Sequence, residues 1–218
     1  MRPTFTPVSA AKIQWLGKTL NANDALFPIF TSEGLCYTFN MLPNREVVRY
    51  EDEFMASLNN SINSYKWPPE DGYFAGDNTD AYPRRAFMSG VEGGLVIEGL
   101  LTNNSHIDYL CKVSLQGFKV ILHHPCEFPD VRKHFRLPLD QAVLVGIKPS
   151  LLTVSPELLH YSLKDRKCYF AKDKYLATFK VYTQQNCLDE CLSNYTLKEC
   201  KCTPFYFSGK CNTFNVSL

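Results

Sequence analysis

The sequence predicts an α+β fold with antiparallel strands. Three observations carry that prediction. Short runs such as Leu35, Tyr37 and Phe39 alternate with Cys36, Thr38 and Asn40, the period of a half-buried strand. Other runs place apolar residues three to four apart, as on one helix face. Aromatic residues, with 15 Phe and 12 Tyr, make up 13% of the chain and favour strands. The 218 residues are 45% hydrophobic and 21% charged, enough to bury a sizeable core and unlike a disordered tail or a collagen-like fibre. Lys and Arg number 23 against 22 Asp and Glu, a formal charge of +1, so the basic excess of a nucleic-acid surface is missing.

The elements follow in order. Residues 8–20 are expected to be helical, with Ser9 as cap and Ile13, Leu16 and Leu20 at helical spacing. Residues 34–42 read as a strand. Residues 46–65 read as a helix, with Tyr50, Phe54, Leu58 and Ile62 at four-residue steps and Trp67-Pro68-Pro69 ending it. Residues 70–92, rich in Gly, Pro, Asp and Asn, read as a long loop or finger-like excursion. Strands are expected at 94–101 and at 112–123, where Phe118, Val120 and Leu122 share a face. Another is expected at 142–148, with Val143, Val145 and Ile147 on one face, and Pro125, Pro129 and Pro138 break the chain between strands. Ser155 and Pro156 look like the cap and first turn of a short helix reaching Lys164. A last strand over 176–184 leads into a cysteine-rich helix. There is no internal repeat and no low-complexity tract.

The chain carries no run near the roughly 20 apolar residues that cross a bilayer, and its first residues lack the apolar core of a signal peptide. Yet Asn59, Asn103, Asn194 and Asn215 each open an Asn-x-Ser/Thr glycosylation sequon. With nine cysteines they favour an oxidising compartment. An extracellular composition without an export signal predicts a portion of a longer protein.

The cysteines are Cys36, Cys111, Cys126, Cys168, Cys187, Cys191, Cys200, Cys202 and Cys211. An odd count leaves at least one without a partner in the chain. The last five form C-x3-C-x8-C-x-C-x8-C. Structural zinc uses matched C-x2-4-C knuckles, and here no second knuckle follows Cys187-x3-Cys191, so no metal is expected. Asn186 can cap the helix, with Asp189 near the positive end of its dipole. Cys187 and Cys191 then lie on one side with Cβ atoms about 5–6 Å apart. A disulfide needs about 3.5–4.5 Å, so the two should reach a second segment rather than each other. In an extended stretch Cys200 and Cys202 share a face and also need separate partners.

Gly34-Leu35-Cys36-Tyr37-Thr38-Phe39-Asn40 resembles the G-x-C-Y-T-F-N hallmark of the degenerin/epithelial sodium channel family. Gln116-Gly117-Phe118-Lys119-Val120 resembles a later G-[FI]-K-V strand of the same ectodomain. Tyr182 to Cys187, Glu190-Cys191 and Cys200-Lys201-Cys202-Thr203-Pro204-Phe205-Tyr206 resemble the start of its thumb. Those last segments, with Arg166-Lys167-Cys168-Tyr169-Phe170, are most similar to the insect pickpocket branch. The resemblance implies a homo- or heterotrimeric, amiloride-blocked sodium channel of the plasma membrane. It would have two membrane helices per subunit and an ectodomain of palm, β-ball, finger, knuckle and thumb. On it, residues 1–33 are the end of the finger, 34–150 palm and β-ball with a loop insertion, and 151–218 palm and the start of the thumb. The membrane helices, gating segment and selectivity filter are not in this sequence, so contact with membrane and sodium ions belongs to the rest of the protein. By the same resemblance Cys202 pairs with Cys211, while Cys36, Cys168, Cys187, Cys191 and Cys200 have partners outside the chain. Cys111 and Cys126 form a possible local pair on which the family is silent. A chain missing several such cross-links, each typically about 2–4 kcal/mol, is expected to be poorly stable alone.

The remaining features have plainer readings. Tyr37 and Phe39 are expected in the core, and His106, His123, His124, His134 and His160 as solvated or hydrogen-bonded residues. Glu51, Asp52, Glu53, Glu70, Asp71, Asp77 and Asp80 read as solvated faces, and Arg84-Arg85 and Arg132-Lys133 as surface pairs. No nucleophile elbow, phosphate loop or H-E-x-x-H helix is present, so no catalytic residue and no cofactor is expected. The rival reading is a secreted cysteine-rich binding module with a closed disulfide set.

Overall fold

A computed structural model of the chain describes residues 9–50, 67, 72–73, 82–101, 116–150, 154–204 and 206. Among the described residues the strands form three small antiparallel sheets. The first holds β1 (Ser9–Trp15), β2 (Lys18–Leu20) and β5 (Leu95–Leu101) in the order β2-β1-β5. The second is the hairpin of β3 (Leu26–Thr31) and β4 (Gly34–Phe39). The third pairs β6 (Phe118–Ile121) with β7 (His134–Leu137). The α-helices among the described residues are α1 (Ala22–Ala25), α2 (Asn44–Val47), α3 (Leu163–Arg166) and α4 (Gln184–Cys200). The expected α+β class with antiparallel strands agrees with this architecture.

Residues 9–20 are a hairpin, not the expected helix. Leu16 and Gly17 adopt φ of 52° and 73° between the paired Trp15 and Lys18. Two central residues of positive φ make the tight turn whose twist matches paired strands, and they break a helix. The helical spacing of Ile13 and Leu20 is therefore a cross-strand pairing: Ile13 faces Leu20 on one side and Ile97 on the other, and is 1% exposed.

Strand β3 was hidden by Pro28, which cannot donate to a ladder but sits here in a strand whose one neighbour among the described residues is β4. Ile29 pairs with Cys36 and Phe27 with Thr38, so these residues share the face turned to the main core. Tyr37 and Phe39 lie on the opposite face, half-buried, and Phe39 packs on Trp15 with ring centroids 5.4 Å apart. The expected strand over 34–42 stops at Phe39, because Asn40 has φ of 64° and bonds both backbone groups of Arg84.

The helix expected over 46–65 is a single turn where it is described. Val48 is extended (φ −106°, ψ 155°) and bridges Phe179. Val47 and Val48 are both buried, Val47 from the last helical position and Val48 from extended backbone. Tyr50 is exposed, and Phe54, Leu58 and Ile62 lie outside the described residues. The strand expected over 112–123 reduces to β6 among the described residues, and its partner β7 was not foreseen between Pro129 and Pro138. Gly117 precedes β6 with φ of 121°, and a Cβ there would stand 2.4 Å from the Leu137 carbonyl oxygen. That close approach explains the glycine of the G-F-K-V segment.

Two further strands do not form. Residues 141–150 are exposed and carry no regular secondary structure, outside the sheets formed among the described residues. The run 176–183 makes one bridge, Val48 to Phe179. The segment after Ser155 splits into a 3-10 turn, Pro156–His160, and α3. The main core joins Ile29, Met41, Leu42, Val47, Val48, Cys126, Phe128, Leu176 and Phe179, with Phe128 and Phe179 edge-on at 6.1 Å.

Candidate functional site at the base of the cysteine-bearing helix

Helix α4 begins at Thr183, whose hydroxyl accepts from the Asn186 N–H at 3.1 Å. The cap is therefore Thr183, not Asn186 as the sequence suggested. Capping by a threonine satisfies one of the amides a helix start leaves unpaired. Asn186 is fully buried instead. Its Nδ2 donates to the carbonyls of Cys126 and Val181, both at 3.0 Å, while its Oδ1 has no hydrogen-bond partner among the described residues. One turn on, the Glu190 carboxylate accepts the backbone N–H groups of Ala177 (3.0 Å) and Thr178 (2.7 Å). Asn186, Glu190 and Ser193 recur at i, i+4 and i+7, so one polar stripe seats the helix on the body of the protein. No apolar periodicity marks that stripe, and sequence reasoning missed it.

The segment below the helix is held from its other side by α2. Thr178 O accepts from Arg49 N–H and Lys180 N–H donates to Val47 O, both at 2.8 Å. Arg49 Nε donates to Leu176 O at 2.8 Å, and its guanidinium lies 4.1 Å from the centre of the Tyr175 ring. Lys180 Nζ donates to Arg45 O.

Residues 123–126 close the site. Leu42 N–H donates to Pro125 O at 2.9 Å. His123 meets Thr38 Oγ1 through Nε2 at 3.2 Å and the Glu127 carbonyl through Nδ1 at 2.9 Å. Burial pulls the His123 imidazole below its ordinary pKa, against the raising effect of those carbonyl contacts. His124 is pulled down by burial too; its Nδ1 is 2.9 Å from Cys126 Sγ and its ring is 5.5 Å from Trp67. Burial pushes the Cys126 thiol up to about 12, so it is neutral and unreactive at physiological pH. His134 Nδ1 meets the Val131 carbonyl at 2.8 Å.

A groove of roughly 180 Å³ lies beside the first turns of α4, between the β3 end and residues 128–132. Asp130 accepts Arg132 Nε at 2.8 Å and Nη2 at 3.0 Å, and that pairing holds its carboxyl below the usual range. Lys133 Nζ donates to Gln185 Oε1 at 3.3 Å, and Gln185 Nε2 to Asp189 Oδ1 at 3.1 Å. Burial, with help from Asp130, raises the Asp189 carboxyl. Arg132 and Lys133 are exposed, as expected of a surface pair.

Cys36 and Cys187 pack against the core and Cys126 sits within it, whereas Cys191 and Cys200 are exposed on α4. Cys36, Cys126, Cys168, Cys187, Cys191 and Cys200 carry free thiols in this structure. Thr31 Oγ1 is 3.3 Å from Cys36 Sγ, and Lys174 Nζ is 3.5 Å from Cys187 Sγ. Cys202 follows the helix, and Cys111 and Cys211 lie outside the described residues. Of the sequons, Asn194 is exposed in mid-helix, and Asn59, Asn103 and Asn215 lie outside the described residues. Among the described residues no group of three or more His, Cys, Asp or Glu is placed to hold a metal ion, and no helix is long and apolar enough to cross a membrane.

The amiloride-sensitive sodium channel family model matches residues 10–217. Pickpocket protein 28 of Drosophila melanogaster is 30% identical over 184 residues, covering 82% of this chain and 30% of that protein. Pickpocket protein 11 of the same fly is 33% identical over 89 residues, 40% of this chain and 17% of that protein. The sodium channel protein Nach of Drosophila ananassae is 26% identical over 92 residues, 42% of this chain and 18% of that protein. The chain thus spans at most about a third of the length of these relatives. No solved structure matches it. The ordered hallmark segments, the antiparallel hairpin that carries the first of them and the matched span lead to one assignment: the chain belongs to the amiloride-sensitive sodium channel family, a family of ion channels rather than enzymes, and is similar to its pickpocket members.

Proposed function

We propose that this chain is extracellular structure of a subunit of a trimeric, amiloride-sensitive sodium channel. It would couple a ligand, proton or mechanical stimulus to a pore built from other parts of the full-length protein. The observation that carries the reading is the family match over residues 10–217. The seating of α4 on the core that also holds the hallmark hairpin supports it. In this reading residues 1–33 end the finger, 34–150 are palm and β-ball, and 151–218 are palm and the start of the thumb. Its partners are the other subunits and, through the pore, sodium ions; glycans on Asn59, Asn103, Asn194 and Asn215 face the extracellular side. Cys202 pairs with Cys211, Cys111 and Cys126 are a possible local pair, and Cys36, Cys168, Cys187, Cys191 and Cys200 are clasped by segments elsewhere in the protein.

The test is electrical. The full-length protein, expressed with its sister subunits in oocytes, is expected to carry an amiloride-blocked sodium current that residues 1–218 alone do not. A full-length protein that reaches the surface and passes no sodium current under acid, stretch or ligand would contradict the reading. Non-reducing peptide mapping of residues 1–218 adds a second arm: four internal bonds with one free thiol would point to a secreted binding module instead.

A further inference from the structure

The 176–181 segment is gripped from two sides by groups that neither a strand nor a helix explains. On one side, its backbone is tied to the turn that follows the hallmark hairpin by Arg49 N–H, Arg49 Nε and Lys180 N–H. On the other side, α4 reaches it through side chains alone. Glu190 takes the two consecutive N–H groups of Ala177 and Thr178, and Asn186 takes the Val181 carbonyl while also holding Cys126. Phe179, between these holds, is 1% exposed and anchored in the core. We propose that Glu190 is a positioning residue, a carboxylate latch that makes 176–181 move with α4, so that displacement of the helix reaches α2 and the hairpin through this strap.

The chemistry favours such a role over mere packing. A carboxylate accepting two amides forms charge-assisted bonds stronger than neutral ones and fixes direction as well as distance. Among the described residues no strand or helix backbone holds Ala177 and Thr178 on that side, so the grip is concentrated in one side chain. The proposal deepens the channel reading and rests on it for its consequence in gating. Spatial intermediacy alone does not establish coupling, so the test measures coupling.

Amide hydrogen exchange is followed residue by residue in the full-length protein for wild type, Glu190→Ala, Glu190→Gln and the control Lys198→Ala, with sodium current recorded from the same four. The expected result for Glu190→Ala is at least tenfold faster exchange at Ala177 and Thr178, with protection kept at Lys180, whose N–H is held by Val47. Glu190→Gln keeps one acceptor oxygen and restores part of the protection, and Lys198→Ala changes neither amide. Current from Glu190→Ala is expected to change at least threefold at equal surface amount. Unchanged exchange at Ala177 and Thr178 overturns the latch; faster exchange with wild-type current overturns its role in transmission. A wild type that passes no current defeats the channel reading, and a loss of protection confined to the strap in Glu190→Ala then still upholds the latch.

Discussion

Two stretches of this chain have nearly the same apolar rhythm and opposite fates. In β3, Phe27 and Ile29 alternate with Pro28 and Phe30, and Ile29 is 1% exposed. In 142–148, Val143, Val145 and Ile147 likewise recur at every second position, yet Ile147 is 65% and Leu144 82% exposed. The difference is the neighbour. β3 meets β4 across a two-residue turn at Ser32 and Glu33, closed by Gly34 at φ 102°, so its partner is local. Among the described residues no strand pairs with 142–148. Period-two hydrophobicity states which face a strand would bury; it does not supply the strand alongside it.

Removing one large side chain from each region should give very unequal losses. Phe179→Ala empties the core and should cost about 3–5 kcal/mol, whereas Ile147→Ala should stay within about 0.5 kcal/mol, as exposed sites do. Denaturant unfolding monitored by fluorescence gives both numbers, and equal losses would mean that 142–148 is packed.

Polar burial extends the contrast. Asn186→Ala strips the buried Cys126 carbonyl and the partly buried Val181 carbonyl of their donor and should cost about 2–4 kcal/mol in the same assay. Hydrophobicity patterns miss this residue because its contribution is hydrogen bonding from inside a helix. The turn chemistry comes next. Gly117→Ala meets the Leu137 carbonyl and a left-handed φ at once, for an expected loss of about 1–3 kcal/mol; a stable variant would show that β6 and β7 can shift apart.

The smallest effect is on pH dependence. His123 and His124 have folded-state pKa values below the ordinary one, so the unfolded chain takes up protons first as pH falls. Their contribution is intact above about pH 6.5, declines as pH drops towards the folded values and levels off below them. Replacing His123 by Gln should flatten that decline in a pH series of melting temperatures. An unaltered slope would show that His123 titrates normally.

What could be read beforehand divides along the same line. The α+β class, the cysteine-bearing helix, the strand at 95–101 and the hallmark hairpin's second strand rest on local patterns, and the structure contains them. The hairpin at 9–20 and the proline-bearing β3 depend on the tight turn that brings the next strand alongside, and the bridge of Val48 to Phe179 and the hold of Asn186 on Cys126 depend on which distant segment lies opposite. Ile13, Leu16 and Leu20 fit a helix until Leu16 and Gly17 turn left-handed. Tyr37 and Phe39 look like core until Cys36 and Thr38 take that face. In each case tertiary pairing overrode a local period.

The central claim is that the hallmark hairpin and the strap beneath α4 share one core. A double-mutant cycle of Ile29→Ala and Phe179→Ala, measured by denaturant unfolding, tests it most directly. The account predicts a coupling energy of about 0.5 kcal/mol or more, as expected of side chains in one packed cluster; losses that add to within about 0.3 kcal/mol would place the two residues in separate cores and contradict it.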